Sequence, residues 1–485
     1  MQANKELFTS RFGLLAATIG MAIGAGNIWR FPRLAGQYGG AFLIPWFLFL
    51  FMWSLPLLIS EFAIGKKTKK GTIGAFAGAM GDKFAWMGWF VGICTTAILF
   101  YYSVVTGWSL KYFLLSVSGE LFTVDHSLYW QEYTSSIFQP LTFHFISIFI
   151  GAVIIYRGIA QGIEKFSKII VPALFILLLI AAVKALSLPG AEMGVKYFFT
   201  IQPEQFLNYK LWLDALSQSA WSTGAGWGLL LTYSIYTRKE EPIISNSLMA
   251  GLGNNMASII AGLAIIPTLF ALSSATAAQD ALQSGNQGLA FIAIPQLFAQ
   301  MSAGRAFSSV FFLALFFAAL SSLISMIELA VRVLMDFGIE RKKSVVVIAL
   351  LTAALGAPAA ISLNFFDNQD WAWGLGLIVS GLFFTIAVLK IGLKEFVSDW
   401  LEQSKHHKLY LRIFQVLFYF VIPLEFILMM GWWLFQAISW YPETWWNPFE
   451  TFSLGTAFIQ WTAVIVLGII FNNKFVKVLK QKWRD

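Results

Sequence analysis

Three glycines and an asparagine stand together in Gly20-Met21-Ala22-Ile23-Gly24-Ala25-Gly26-Asn27, inside an otherwise apolar run. A second cluster, Gln218-Ser219-Ala220-Trp221-Ser222-Thr223-Gly224-Ala225-Gly226-Trp227-Gly228, has the same make-up. Glycine weakens a helix by about 1 kcal/mol relative to alanine. A helix interrupted within an apolar run frees backbone groups that must find protein, water or a ligand. Freed carbonyls can bind a hard cation, and freed amides can bind an anionic group. The bland reading is close helix packing, because Gly20/Gly24 and Gly224/Gly228 each fit a small-xxx-small spacing. No nucleophile–base constellation is visible, so the chemistry on offer is binding, not bond making. One cysteine, Cys94, excludes an internal disulfide, and with four histidines it argues against a structural zinc or haem protein.

The elements that must hold these clusters are membrane helices. Of the 485 residues, 58% are hydrophobic, 17% aromatic and 12% charged, with a mean hydropathy of +0.71. A soluble chain carries about twice that charge, so an ordinary cytoplasmic enzyme, a secreted disulfide scaffold and a disordered protein are excluded. A spanning helix needs about 20 mostly apolar residues. Twelve segments qualify: 13–36, 41–64, 88–117, 142–157, 166–186, 214–237, 243–270, 304–336, 344–362, 371–394, 408–437 and 452–473. The stretch Gly288 to Gln300 reads as a short helix dipping back onto the protein. The opening MQANKELFTSRFG lacks a signal-peptide cleavage pattern, so the first run is expected to stay as a helix.

Twelve spans place both termini on one side. Seven of the 33 Lys and Arg (Arg30, Arg33, Lys111, Lys184, Lys196, Lys210 and Arg305) then fall on the other side, and the remaining 26 lie with the termini. That asymmetry predicts cytoplasmic N and C termini in a plasma (inner) membrane. The net charge of +8 is thereby explained by topology, with no nucleic-acid partner. The glycine clusters open spans 1 and 6, the first helices of two five-helix halves. An odd repeat inverts the second copy, and paired interruptions at matching positions point to a transporter binding site.

These residues resemble a known family. Arg11-Phe12-Gly13-Leu14, then Gly24-Ala-Gly-Asn27-Ile-Trp-Arg30-Phe-Pro32 and Gly39-Gly-Ala-Phe-Leu-Ile-Pro45, are similar to the signature of the neurotransmitter:sodium symporters. Gly158 to Lys165 (GIAQGIEK), Gly288 to Gln300 and Phe316 to Ser322 match as well, and the likeness is greatest to bacterial amino-acid members such as the leucine transporter. The resemblance implies an all-α polytopic membrane protein of 12 transmembrane helices, a five-plus-five inverted repeat with discontinuous helices 1 and 6. The expected divisions are an N-terminal segment 1–12, a first half 13–186, a second half 214–394, helices 11 and 12 within 408–473, and a tail 474–485.

It also implies two sodium sites. The first takes the Ala22 carbonyl, Asn27, Ser222 and Asn254, completed by a substrate carboxylate. The second takes the carbonyls of Gly20, Ile23 and Ala318 with the hydroxyls of Ser321 and Ser322. Because 321 and 322 are adjacent, both can reach the site only from a distorted or angled helix; otherwise they bond back to carbonyls of their own helix. Two cations and a zwitterion leave excess positive charge, and Ser258 stands where some bacterial relatives carry a carboxylate. Chloride dependence is therefore expected, with an anion shell at Gln218, Ser222, Asn254 and Ser258. Trp46 stands in place of the usual tyrosine. The alternative is that Ser258 only packs and another acid balances the charge.

Monoamine members carry aspartate at the Gly24 position, so glycine here implies a substrate that brings its own carboxylate. That group is expected at the amides of Ala25 and Gly26, at the first sodium and at the Tyr102 hydroxyl. The side-chain pocket maps to Met21, Ala22, Ile98, Trp221, Ser222, Gly224, Trp227, Ser322 and Met326. Arg30 and Asp370, opening span 10, are the expected outer gate, and Lys5 with Asp336 the inner one. Glu61 and Glu328 read as helix-to-helix hydrogen-bonding anchors. The expected function is a sodium-coupled symporter for a small or medium neutral amino acid, acting as a monomer or weak dimer in the bilayer. The alternatives are an amino-acid sensor without a full cycle, and a symporter of a non-standard amino acid or amine.

Overall fold

A computed structural model of the chain describes residues 6–401 and 407–482. Ten helices among the described residues are long and apolar enough to cross a membrane. They correspond to spans 2–5 and 7–12, with the outer part of span 1 running on into span 2. The remaining two, spans 1 and 6, are the ones broken at the glycine clusters. Span 1 consists of Arg11–Ala22, then Ala25–Ile28 and Arg30–Tyr38. Span 6 consists of Tyr209–Ser222 and Leu229–Ile235.

The two breaks have different physical causes. In span 6, Gly224, Gly226 and Gly228 have φ of +72°, +88° and +77°, a left-handed region that only glycine enters cheaply. In span 1 the helix stops at extended Ile23, and Gly24 is also extended, so neither needs left-handed backbone. There the glycines provide space. A Cβ on Gly20 would lie 2.6 Å from the Val171 side chain of span 5. One on Gly24 would lie 2.9 Å from the Tyr102 hydroxyl. The packing reading is thus right for Gly20, on top of the break.

Glu61, buried on span 2, holds the break in span 6. Its carboxylate accepts the amides of Gly226 (2.7 Å), Leu230 (3.1 Å) and Leu231 (3.3 Å), the donors exposed where the inner half begins. Span 2 also grips the outer half, where the Ser54 hydroxyl bonds to the Ser219 carbonyl at 3.0 Å. Glu61→Ala strands three buried amides at about 1–3 kcal/mol each. A markedly lower melting temperature in detergent is expected, with a smaller loss for Glu61→Gln, which keeps one acceptor.

Span ends differ from the sequence expectation where capping decides them. Span 10 begins at Leu363, not near 371, because Ser362 caps it by accepting the Phe365 amide. Asp370 therefore lies two turns inside the helix. Span 12 runs from Leu454 to Lys482, so residues 474–482, expected as tail, are helical. Asn472 ties this extension to the start of span 3 by accepting the Trp86 amide and donating to the Asp82 carbonyl, both at 3.0 Å. Residues Gly285–Ala299 form the short re-entrant helical stretch.

Candidate functional site

Both breaks face one another across the middle of the molecule, against spans 3, 7 and 8. Asn27 is fully buried and organises the first cluster. Its Oδ1 accepts the Gly24 amide at 2.9 Å, which leaves its Nδ2 to donate to the Asn254 side chain (2.7 Å) and to the Ser258 hydroxyl (2.8 Å). The Asn254 atom that meets this donor must then be oxygen. That oxygen lies 2.8 Å from the Ser222 carbonyl oxygen and 3.1 Å from that of Ala22. Three oxygens so close, with no proton between them, repel unless a cation offsets their charge. The Asn254 nitrogen donates to the Ser222 hydroxyl at 3.1 Å.

The second cluster joins span 1 to span 8. The Ile23 carbonyl, turned out by the extended backbone, meets the hydroxyls of Ser321 (3.2 Å) and Ser322 (3.3 Å). Ser321 also bonds back to Ala318 (2.9 Å), and Ser322 reaches the Met21 carbonyl (3.3 Å). Span 8 is an unbroken helix from Gly304 to Asp336, so it needs no distortion. The break in span 1 brings the carbonyl to both hydroxyls. Gly20 packs beside Ser321, and the hydroxyls donate to the carbonyls of Ile23, Ala318 and Met21.

Between the clusters lies a cavity of about 470 Å³. Met21, Ala22, Gly24, Gly26, Tyr102, Trp221, Ser222, Gly224, Trp227, Ser322 and Met326 all line it. Two expected pocket residues do not. Ile98 is wholly buried in the core, and Ala25 is wholly buried too, reaching the site only through its amide, which donates to the Tyr102 hydroxyl at 3.0 Å. Trp221 and Trp227 meet edge to face at 6.0 Å and bound the cavity on one side. The cavity continues to Asn286, Gln287, Asp367 and Phe452, residues that local pattern could not place there because their segments fold back over the site.

The chain matches the model of the sodium:neurotransmitter symporter family over residues 5–139 and 135–478. The chain belongs to this family. It is 34% identical over 361 residues to the sodium-dependent transporter MJ1319 of Methanocaldococcus jannaschii, covering 72% of this chain and 73% of that one. It is 30% identical over 449 residues to the sodium-dependent transporter YhdH of Bacillus subtilis, covering 87% and 96%. The crystal structure of MhsT in complex with L-phenylalanine superimposes with a TM-score of 0.75 at 27% identity, covering 88% of this chain and 99% of that one. The protein is a sodium-dependent membrane transporter, not an enzyme.

The expected outer-gate pair is not joined in this structure. Arg30 makes no ion pair with Asp370. It donates to the Ser217 hydroxyl at 2.9 Å and lies 5.5 Å from the Trp221 ring centroid, while the Trp221 indole packs on Gly374 of span 10. Arg30 and Asp370 both line the cavity, but Arg30 is taken by Ser217 of span 6. On the face carrying the N-terminal residues, Asp336 accepts the Gly71 amide (2.5 Å) and pairs with Arg332 (2.9 Å). Lys5 lies outside the described residues. A further closure there comes from a residue whose sequence context marks it only as loop charge. Arg341 pairs with Glu328 (2.7 Å) and with Glu6 (2.6 Å), and Tyr236 donates to Glu328 at 2.6 Å. Phe8 adds an edge-to-face contact with Tyr233 at 6.0 Å.

Gly24→Ala tests the carboxylate end of the cavity. The added methyl drives into Tyr102, whose hydroxyl is tied to Ala25, and overpacking of this kind costs about 1–3 kcal/mol. Amino-acid affinity is expected to fall about 10- to 100-fold. Stabilisation by sodium alone should persist. Ligand-dependent thermal shifts separate the two.

Proposed function

We propose that this symporter imports a small or medium neutral amino acid with sodium by alternating access, from the outer face to a cytoplasm that holds both termini. The plasma membrane is its place, and residues 13–186 and 214–394 are the inverted halves. The observation that carries the substrate reading is the Gly24–Tyr102 arrangement. The carboxylates that line the cavity, Asp367 and Asp370, come from span 10 and none comes from either break, while the Gly24 position is closed to any side chain by Tyr102 and Ser322. The substrate carboxylate completes the oxygen set of Ala22, Asn27, Ser222 and Asn254. A second sodium sits at Gly20, Ile23, Ala318, Ser321 and Ser322.

MhsT, a relative, was crystallised with L-phenylalanine. Here the facing indoles of Trp221 and Trp227 narrow the space at the side-chain end, which favours a smaller residue. In the cycle, Arg30, Trp221 and Asp370 come together over the loaded site. The ties of Arg341 and Asp336 then release. One charge crossing 100 mV contributes about 2.3 kcal/mol, enough to concentrate the substrate.

Chloride is the proposed companion. The indole N–H of Trp46 and both side-chain polar atoms of Gln218 are buried without hydrogen-bond partners among the described residues. Buried donors of this kind normally have an acceptor, and an anion near Ser222, Asn254 and Ser258 supplies one. Ser258 accepts from Asn27, which leaves its own proton free to donate.

The test is thermal stabilisation of purified protein by the twenty amino acids, in sodium chloride and in sodium gluconate. Stabilisation by a small neutral amino acid only with both ions supports the whole reading. Stabilisation in gluconate removes chloride, and none in either salt removes the amino-acid class. Ser258→Glu should make binding independent of chloride, because a fixed carboxylate replaces the anion. Continued chloride dependence in that variant would refute the charge-balance argument. Sodium-driven uptake into proteoliposomes separates transport from sensing.

A further inference from the structure

Glu164 is the last residue of a π-turn, Ile159–Glu164, that opens span 5. Its side chain is 1% exposed. The carboxylate collects four donors from two residues far away in sequence: the Thr9 amide (2.6 Å), the Thr9 hydroxyl (2.8 Å), the Ser10 amide (3.2 Å) and the Ser10 hydroxyl (2.8 Å). Lys168 adds an ion pair at 2.6 Å. The Ser10 hydroxyl in turn accepts the Gly13 amide at 3.1 Å, capping the inner half of span 1. Gly13 makes room for all this, since a Cβ there would lie 2.3 Å from the Glu164 side chain. The negative charge also sits at the positive end of that helix.

We propose that Glu164 is a positioning residue for transport: its carboxylate docks the start of span 1 on span 5, and giving up that docking is part of opening the N-terminal face. The proposal rests on the alternating-access reading. Helix Arg11–Ala22 is a short rigid rod with Glu164 at one end and the carbonyls of the second cation cluster at the other. It can pivot only at the break after Ala22, so any tilt of the rod pulls Thr9 and Ser10 off the carboxylate. The bonds are charge-assisted and share one group, so they yield together. The same strap is held from the opposite flank by Arg341 on Glu6, by the Phe8 amide on the Tyr236 carbonyl (3.0 Å) and by Arg238 on the Thr9 carbonyl. Glu164 therefore closes one of two sides of a clasp.

The experiment follows labelling of Ala17→Cys, buried on this helix, in a Cys94→Ala background. Inside-out vesicles are treated with a membrane-impermeant maleimide, with and without sodium. The parent should label slowly, and more slowly with sodium. Glu164→Gln should label about tenfold faster or more in sodium, as expected when charge-assisted bonds are weakened. Gly13→Ala, which keeps every hydrogen-bonding group but displaces the carboxylate, should do the same. Adding Thr9→Val to Glu164→Gln should change little further, because the interaction is already gone. Unchanged labelling in folded Glu164→Gln or Gly13→Ala overturns the proposal, as does a lower melting temperature with labelling and its sodium response intact. If Glu164→Gln does not fold, Gly13→Ala decides alone. A parent whose labelling ignores sodium would instead count against the alternating-access reading.

Discussion

Arg341→Ala is expected to leave the symporter unable to keep its N-terminal face closed, with sodium-driven uptake reduced by two orders of magnitude or more. Glu328 is completely buried, and its carboxylate is held by both terminal nitrogens of Arg341, at 2.7 and 2.9 Å, and by the Tyr236 hydroxyl. Removing one partner of a buried pair costs about 3–5 kcal/mol, because the other charge is left uncompensated. The carboxylate can recover hydration only if the face opens. Glu6 loses its anchor in the same step. A shift of about 3 kcal/mol or more changes the closed-state population over 100-fold. Uptake assays and thiol accessibility in inside-out vesicles read the two consequences. Combining Glu328→Gln with Arg341→Ala should restore much of the closure. A double variant no better than Arg341→Ala would refute the buried-charge explanation.

Asn254→Ala should raise the sodium concentration for half-maximal stabilisation about 100-fold or more, equivalent to about 2.7 kcal/mol. The loss has three parts. The amide oxygen beside the carbonyls of Ala22 and Ser222 disappears, Asn27 loses its acceptor, and the Ser222 hydroxyl loses its donor. Asn27 and Ser222 border the cavity, so amino-acid stabilisation should reappear only at high sodium. A sodium titration of the melting temperature checks this, and an unmoved midpoint would place the first ion elsewhere.

Signals that lie close together along the chain were readable without coordinates. The Gly20–Asn27 and Gln218–Gly228 clusters announced both breaks because a glycine-rich polar island in an apolar run has few structural uses. Hydropathy placed the spans to within a turn or two at most ends. The exceptions were ends set by a single cap, as at Ser362, or by a distant tether, as at Asn472. Glu61 was recognisable as an anchor because a carboxylate inside an apolar span must find donors, although which donors it found was not readable.

Other features depend on pairs far apart in sequence. Arg341 looks like any basic loop residue until the fold sets it beside Glu328, Glu6 and Tyr236. Arg30 and Asp370 carry complementary charges, yet Arg30 rests on Ser217 and Trp221, a choice made by helix positions and not by charge. The role of Ser321 and Ser322 was ambiguous, since back-bonding and bridging both satisfy a hydroxyl. The extended turn at Ile23 presents one carbonyl to both, and Ser321 keeps its back-bond to Ala318 as well. The chain alone therefore establishes twelve spans with two interrupted helices, because composition, periodicity and glycine spacing are local properties that survive unfolding, and the resemblance of its motifs to a known family supplied the sodium-symporter reading. Which oxygens converge, which acid meets which base and which face stands closed are decided only when the helices pack. Those contacts join residues far apart in sequence, by 335 positions for Glu6 and Arg341, and burial then makes each unpaired partner costly.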